Sequence, residues 1–197
     1  QPFAAMVVMS VFFGKLAGMD QHTDAYPVFL YAGLLPWTFF AAAVTSSSVS
    51  LVNNAGMVQK IYFPRLIVPL AAVGAPVVDF GAAFTVLIGL MLYFGVAASW
   101  QLLWLPVLLA SVIVAALAVG ILLSALTVAY RDFRYIVPFI VQLGLLGTPA
   151  IYGDTSRLPE QYQWLVSINP LNALIGAFRG AILGQSIDFV SWGISGC

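Results

Sequence analysis

The sequence predicts an all-α, polytopic transmembrane domain, and its apolar composition and sparse charges support this. Of the 197 residues, 62% are hydrophobic and only 7% are charged. Asp79 is the single charge between Leu66 and Gln101, and no charge lies between Gln101 and Tyr130. A helix needs about 20 apolar residues to cross the hydrocarbon core of a bilayer. We expect about six spans in the full-length protein, with interfacial or re-entrant helices before the last span.

Apolar runs divide the chain into predicted spans. Pro36 is expected to kink or delay the helix of the second span, and Trp37 suits a position at the membrane interface. The hydroxyl-rich stretch 45–50 predicts close approach of a neighbouring helix, with a loop as the alternative. The predicted spans cover residues 2–16, 28–52, 66–94, 102–129 and 136–152.

The segment after the fifth span differs from a simple loop. Asn169-Pro170 is typical of a helix start, with an N-cap residue followed by proline at the first helical position. We expect a short helix in the outer leaflet, and an ordinary short sixth span is the alternative. The apolar face of that helix contains Leu171, Leu174, Ile175, Phe178 and Ile182.

Both ends of the chain lie within or near apolar runs. The sequence begins at Gln1 inside one run and ends at Cys197 shortly after another begins. We therefore expect a single transmembrane domain over residues 1–197, truncated at both ends. Cys197 is the only cysteine, which excludes a disulfide within the chain, and the net charge of zero gives no attraction to nucleic acid.

Two basic segments, residues 53–65 and 130–135, interrupt the apolar runs. Short loops rich in lysine and arginine stay on the cytoplasmic side of a membrane. Both segments should therefore face the cytoplasm, and the even number of spans between them agrees with this. The segments on the opposite side carry Asp20, Asp24, Asp154 and Glu160 against Lys15, Arg157 and Arg179.

The residues give little support to an enzyme. Gly14-Lys15 lacks the remaining residues of a phosphate-binding loop, and His22 is the only histidine, so neither a catalytic triad nor a metal cluster is expected. Asp79 is the clearest intramembrane ionisable residue. It is a candidate proton or ion site of a gradient-driven carrier, or else a structural acid bonded to a neighbouring helix or lining a wet crevice.

Four motifs follow one another along nearly the whole chain. Together they resemble the permease subunits of type-2 ABC exporters, above all the group that exports O-antigen, capsule or teichoic acid polymers. The motifs are Tyr31-Ala32-Gly33-Leu34-Leu35-Pro36-Trp37, Lys60-Ile61-Tyr62-Phe63-Pro64-Arg65, Tyr130-Arg131-Asp132-Phe133-Arg134-Tyr135-Ile136-Val137-Pro138, and Asn169-Pro170 followed by Phe178-Arg179.

The resemblance implies a bacterial cytoplasmic-membrane permease that pairs with a second copy of itself and exports a lipid-linked glycan. ATP and Mg²⁺ would bind a separate ABC ATPase, and this chain would bind no cofactor. Exporters of drugs or other lipids share the architecture, so they remain an alternative. A gradient-driven carrier using Asp79 and a membrane scaffold without transport activity are further alternatives.

The resemblance also assigns roles to the two basic segments. The first would be a short amphipathic coupling helix that docks in a groove of the ATPase, or else a positive-inside anchor. The second would form an ion-pair network at a cytoplasmic gate or a secondary contact with the ATPase, or else an interfacial anchor. The coupling residues are Met57, Lys60, Ile61, Tyr62, Phe63, Pro64 and Arg65, and the gate residues are Arg131, Asp132 and Arg134.

A path for a sugar polymer needs aromatic faces and hydroxyl groups. Aromatic residues on the second span and polar or aromatic residues near the end of the fifth span would supply them. A lipid-facing belt or plain helix packing is the alternative for any one ring. The predicted path residues are Tyr31, Trp37, Phe39, Phe40, Thr148 and Tyr152.

Overall fold

Helices are the only regular elements in the described part of the chain, which confirms the all-α prediction. The computed structural model describes residues 6–8, 26–60, 64–96, 100–146, 148 and 170–184. The helices are α1 (Tyr26–Asn53), α2 (Ala55–Lys60), α3 (Ile67–Ala72), α4 (Gly74–Tyr93), a 3-10 helix (Trp100–Trp104), α5 (Leu105–Ala129), α6 (Phe133–Leu146) and α7 (Pro170–Leu183).

Three helical stretches are long and apolar enough to cross a membrane. They are Tyr26–Asn53, Ile67–Tyr93 and Trp100–Ala129, and they match the second, third and fourth predicted spans within a few residues. Residues 6–8 are helical within the first predicted span. The described part of the fifth span is α6, whose 14 residues begin at Phe133. The total of about six spans stays a prediction.

Helix α1 lies at the centre of the bundle. It packs against α2, α3, α4, α5, α6 and α7, and it is buried on most of its surface. The stretch 45–50 is helical, so the loop alternative is wrong. Pro36 lies inside the helix and does not delay its start. Trp37 is only 5% exposed and packs beside Phe40. Its position at the membrane interface stays a prediction.

The main contact of α1 is with a stripe of small residues on α5. The buried residues of α5 recur every three or four positions, and Ala116, Gly120 and Ser124 form a small-xxx-small pattern in the middle. A Cβ atom at Gly120 would lie 2.7 Å from Cβ and Oγ of Ser47, so the two backbones approach as closely as glycine allows. Small residues permit such approach within lipid, where apolar burial gives no driving force.

The third span is interrupted at Val73. Proline has no amide hydrogen, so Pro76 cannot donate to the carbonyl of Ala72 as a helix would require. The amide of Val73 donates to the carbonyl of Leu70 at 3.3 Å, a tighter turn, and α4 starts at the next residue. The predicted continuous span is therefore two helices, α3 and α4.

Helix α7 begins at Pro170, as the Asn169-Pro170 pattern predicts, and all five residues of its predicted apolar face are buried. It packs against α1, α5 and the 3-10 helix. Its 14 residues would be about 21 Å long, which is too short to cross the apolar core of a bilayer. This length fits a helix that enters the membrane without crossing it.

The two basic segments lie at the same end of the bundle, as the number of spans predicts. Val52, near the end of α1, borders the same cavity as Arg131 and Asp132. We call this end the basic end. That it faces the cytoplasm follows from the positive-inside rule and stays a prediction.

The close contact of α1 and α5 gives a stability prediction. Gly120→Ala should lower the free energy of unfolding in micelles by about 1–3 kcal/mol, the usual effect of overpacking. Ser47→Gly in the same chain should restore part of the loss, because it removes the opposing Cβ atom. The measurement is thermal unfolding of the purified protein.

Gly81→Ala is the matched control for the same change in a helix. A Cβ atom at Gly81 meets no atom within 4 Å, so this variant should be neutral or more stable by up to about 1 kcal/mol. Equal stability of the Gly120→Ala and Gly81→Ala variants would contradict the close α1–α5 contact.

Candidate functional site

The first basic segment forms a short helix that follows α1 directly. The backbone amide and the side-chain amide of Asn54 both donate to the carbonyl of Ser50, at 3.1 and 2.8 Å. The carbonyl of Asn54 in turn accepts from the amides of Met57 and Val58, both at 3.0 Å. One residue therefore ends α1 and starts α2, which fixes the position of α2 relative to the central helix.

The predicted coupling residues on α2 are accessible. Met57 is 46% exposed, and Lys60, Pro64 and Arg65 are exposed as well. Met57 and Lys60 lie on α2, and Arg65 lies in the turn before α3. An exposed apolar side chain and two cations in one segment suit a partner surface that has an apolar groove and acidic residues. Ile61, Tyr62 and Phe63 lie outside the described residues. The docking role of the segment stays a prediction.

The second basic segment forms the turn between α5 and α6. Arg131 and Asp132 precede Phe133, where α6 begins, and Arg134 lies in its first turn. The carbonyl of Asp132 accepts from the amides of Tyr135 and Ile136 at 3.0 and 3.2 Å, so Asp132 is the N-cap residue of α6.

The predicted ion-pair network is not present in this segment. Among the described residues, no carboxylate oxygen lies within ion-pair distance of Arg131 or Arg134. The side chains of both arginines and of Asp132 are exposed instead, where water can solvate them, and the positive end of the α6 dipole also favours the carboxylate of Asp132. The gate role of these three residues stays a prediction.

A second cavity lies between α1 and α4, and it is lined by side chains within residues 31–42 of α1 and 76–86 of α4. Its volume is 530 Å³, and Asp79 lies on its wall with an exposed side chain. Among the described residues, none on a neighbouring helix forms a hydrogen bond with Asp79. If Asp79 is a structural acid, the structure therefore favours an acid that lines a wet crevice over one bonded to a neighbouring helix. The other lining residues are Tyr31, Leu35, Thr38, Phe39, Ala42, Pro76, Phe80, Ala82, Ala83 and Val86.

The aromatic residues of the predicted substrate path are buried between helices. The hydroxyl of Tyr31 donates to the carbonyl of Ala83 at 2.9 Å, and the ring of Phe39 meets that of Phe80 edge-on at 5.5 Å. Trp37 lies against Gly144 of α6, where a Cβ atom would be 2.8 Å from the indole ring. These contacts favour the packing alternative for each ring. Tyr31 and Phe39 also border the α1–α4 cavity.

The remaining predicted path residues lie near the end of the fifth span. Thr148 is 1% exposed, and its hydroxyl donates to the carbonyl of Gly144 at 2.7 Å, which caps the end of α6. Tyr152 lies outside the described residues. The substrate path therefore stays a prediction. The hydroxyl group of Thr148 already donates its hydrogen to a backbone carbonyl, so it is not free to donate to a sugar.

Sequence reasoning missed the structural role of Arg179. The sequence predicts it only as one of the charges on the side opposite the basic segments, whereas the structure shows that it lies in α7 with a side chain that is only 6% exposed. Its guanidinium carbon lies 3.9 Å from the centre of the Phe29 ring on α1, a cation–π contact that stabilises a cation away from water. The sequence does contain an indication of this burial, because Arg179 follows Ile175 by four residues and therefore lies on the same face of the helix.

The comparisons with known proteins agree on one family. The sequence profile of the ABC-2 type transporter membrane family matches residues 1–183. An O-antigen export system permease protein RfbA of Klebsiella pneumoniae is 28% identical over 165 residues, which cover 83% of this chain and 63% of that protein. The protein of the same name from Myxococcus xanthus is 25% identical over 162 residues, covering 82% and 62%.

The chain thus spans a little under two thirds of the length of the curated relatives that it matches. The resemblance to type-2 ABC exporter permeases of the polysaccharide group is confirmed. Proteins of this kind are transport permeases and not themselves enzymes. The long apolar helices and the profile match over residues 1–183 establish that this chain belongs to the ABC-2 type transporter family as a multi-pass protein of the inner membrane.

Proposed function

We propose that the chain is the transmembrane subunit of an ATP-driven exporter that moves a lipid-linked polysaccharide across the bacterial cytoplasmic membrane. The observation that carries the proposal is its similarity, over more than four fifths of its length, to two proteins named O-antigen export permeases. The family match extends over both basic segments and all the described helices, so the proposal concerns the whole bundle.

The energy for transport would come from a separate ABC ATPase that binds ATP and Mg²⁺. This chain would receive the resulting motion at the first basic segment. Its exposed Met57 and Lys60 support docking. The hydrogen bonds of Asn54 support transmission, because they join α2 directly to the end of α1. Pro64 and Arg65 connect the segment to α3.

A second copy of the chain would complete the exporter. Helix α6 supports this, because its outward face is apolar but also carries the exposed amide of Gln142. An amide that faces lipid loses hydrogen bonds, whereas the same amide can bond across a helix–helix interface. The exposed Phe139 lies one turn from Gln142 on that face. The glycan path would then lie between the two copies.

The coupling role predicts the effect of charge reversal. In the full-length protein with its ATPase, Lys60→Glu with Arg65→Glu should abolish the stimulation of ATP hydrolysis by a lipid-linked glycan, because both cations would face acids of the partner. The measurement is ATPase activity in lipid nanodiscs, with and without glycan.

The charge-preserving variant Lys60→Arg with Arg65→Lys is the control and should keep most of the stimulation. Recovery of both variants in the membrane fraction shows that insertion is intact. Normal stimulation of the reversed variant would remove the docking assignment from this segment.

A gradient-driven carrier is the second candidate, and the position of Asp79 on the wall of the α1–α4 cavity favours it. Such a carrier needs this carboxyl group to gain and lose a proton. For the exporter we expect Asp79→Asn to retain most of the transport, and transport to stop without ATP. The measurement is polymer export in proteoliposomes with the proton gradient dissipated.

Loss of export in Asp79→Asn, with the ATPase complex still assembled, would favour the carrier. Thr85→Val is a suitable comparison variant, because Thr85 is an exposed polar residue of the same helix whose hydroxyl, among the described residues, donates only to the backbone carbonyl of Ala82. Its transport should equal that of the unmodified protein under either mechanism.

A further inference from the structure

A cavity of 440 Å³ opens at the basic end, where α1, α5 and α6 meet. Its wall combines cations and hydroxyl groups with a single acid. Neither the helix packing nor the proposed coupling helix uses it. The lining residues are Val52, Thr127, Arg131, Asp132, Arg134 and Tyr135.

The floor of this cavity lies within the bundle and not beyond it. Val52 and Thr127 belong to the last turns of α1 and α5. Thr127 is 2% exposed, and its hydroxyl donates to the carbonyl of Leu123 at 2.7 Å. The rim is exposed and includes Tyr135, at 76%. The cavity therefore extends from the helix ends about one turn into the bundle.

The charges of the cavity favour an anion. Two guanidinium groups and one carboxylate line it, so the sum of the formal charges is positive by one. In the described part of the chain no carboxylate pairs with Arg131 or Arg134, and both side chains are exposed. Asp132 lies at the start of α6, where the positive end of the helix dipole offsets part of its charge.

The chemistry of these side chains points to a phosphate group. Guanidinium groups bind phosphate oxygens through paired hydrogen bonds, and a tyrosine hydroxyl can donate another. Basic pockets between transmembrane helices on the cytoplasmic side are known to take phosphate headgroups of lipids. We propose that this cavity binds the phosphate or diphosphate headgroup of a membrane lipid.

A protein partner fits the cavity less well than a lipid does. The cavity is recessed between helix ends, whereas the exposed α2 of the first basic segment is free to reach a partner domain. The rings of Tyr130 and Tyr135, 63% and 76% exposed, stand beside the arginines. Exposed tyrosine next to arginine at the end of a membrane helix is typical of the lipid–water interface.

Two kinds of lipid carry this chemistry. A lipid-linked glycan built on a polyprenyl carrier has a phosphate or diphosphate between the lipid and the sugar, and its relevance here rests on the proposed export function. An anionic phospholipid such as phosphatidylglycerol has a phosphate in its headgroup and is relevant without that function. The test therefore compares the two.

The experiment measures lipid binding to the full-length protein with its ATPase, in nanodiscs of phosphatidylcholine that contain either undecaprenyl diphosphate or phosphatidylglycerol. Retained lipid is quantified by native mass spectrometry after release from the nanodisc. Arg131→Gln with Arg134→Gln should weaken retention of undecaprenyl diphosphate about tenfold, since charged hydrogen bonds are lost. Arg131→Lys with Arg134→Lys should retain part of the binding, because the charge remains without the paired geometry.

Asp132→Asn gives a prediction of opposite sign. It removes the one negative charge of the cavity, so retention of the lipid should increase several-fold. This variant keeps the test decisive if the double glutamine variant fails to insert. Thr85→Val is the control, because it removes an exposed hydroxyl group that lies outside the cavity, and lipid retention should not change.

The outcomes separate the sources of the headgroup. Loss of undecaprenyl diphosphate alone supports a substrate headgroup, and equal loss of both lipids supports a site for anionic phospholipid. Unchanged retention of both lipids in all cavity variants overturns the proposal. So does unchanged retention with loss of the ATPase complex, which would make the cavity a protein contact.

The proposed export function can fail separately from this site. If no ATPase binds the full-length protein, but retention of phosphatidylglycerol still depends on Arg131 and Arg134, the export proposal fails and the headgroup site stands. If glycan-stimulated ATP hydrolysis is normal while every cavity variant retains lipid normally, the headgroup site fails and the export proposal stands.

Discussion

The contact between α1 and α5 is the constraint on which the bundle depends. In lipid, apolar surfaces gain little from meeting each other, so a helix pair is stable only where its atoms fit closely. Ser47 and Gly120 achieve this fit. The hydroxyl groups of Ser50 and Ser124 bond back to their own helices, at the carbonyls of Ser47 and Ile121, both at 2.7 Å. The buried hydroxyl of Ser47 has no hydrogen-bond partner among the described residues. The close approach thus hides these polar groups without requiring bonds across the interface.

From this contact follows the position of the basic end. Helices α1 and α5 end at Asn53 and Ala129, and their close packing brings the first and second basic segments together. The two segments then differ in form. The first continues as an exposed helix outside the bundle, and the second turns back at once into α6, which leaves a recess behind Arg131 and Arg134. One end of the bundle thus offers a projecting surface for a protein and a recessed one for a small anion.

The apolar runs predicted the spans well, because the length of a membrane helix is set by the thickness of the bilayer. The residue pattern also predicted the start of α7 at Pro170, since the proline ring fixes the backbone of a first helical turn. It did not predict that the side chains of Trp37 and Arg179 are buried. Both residues have amphipathic side chains that suit an interface, and only the shape of the neighbouring helices, at Gly144 and Phe29, decides that they are buried.

The sequence also did not predict the cavity at the basic end. The pattern Arg131-Asp132-x-Arg134 favoured pairing among its own charges, since neighbours in sequence have opposite sign. The turn into α6 instead engages the backbone of Asp132 as a helix cap and leaves the arginines exposed. Which of these two local solutions is adopted depends on the direction in which α6 leaves the turn, and that direction is a property of the whole bundle.

The continuity of α1 has a mechanical consequence. The helix has 28 residues and is therefore about 42 Å long, with α2 joined to one end through Asn54 and α7 attached near the other through Phe29 and Arg179. A rod of this length that tilts by about 5° displaces its far end by nearly 4 Å. Pro36 is its weakest point, because one backbone hydrogen bond is missing there. The neighbouring Trp37 packs against Gly144 of α6, and this contact would resist bending of α1 at Pro36. A tilt of α1 would then move α2 and α7 together, because one is attached near each end.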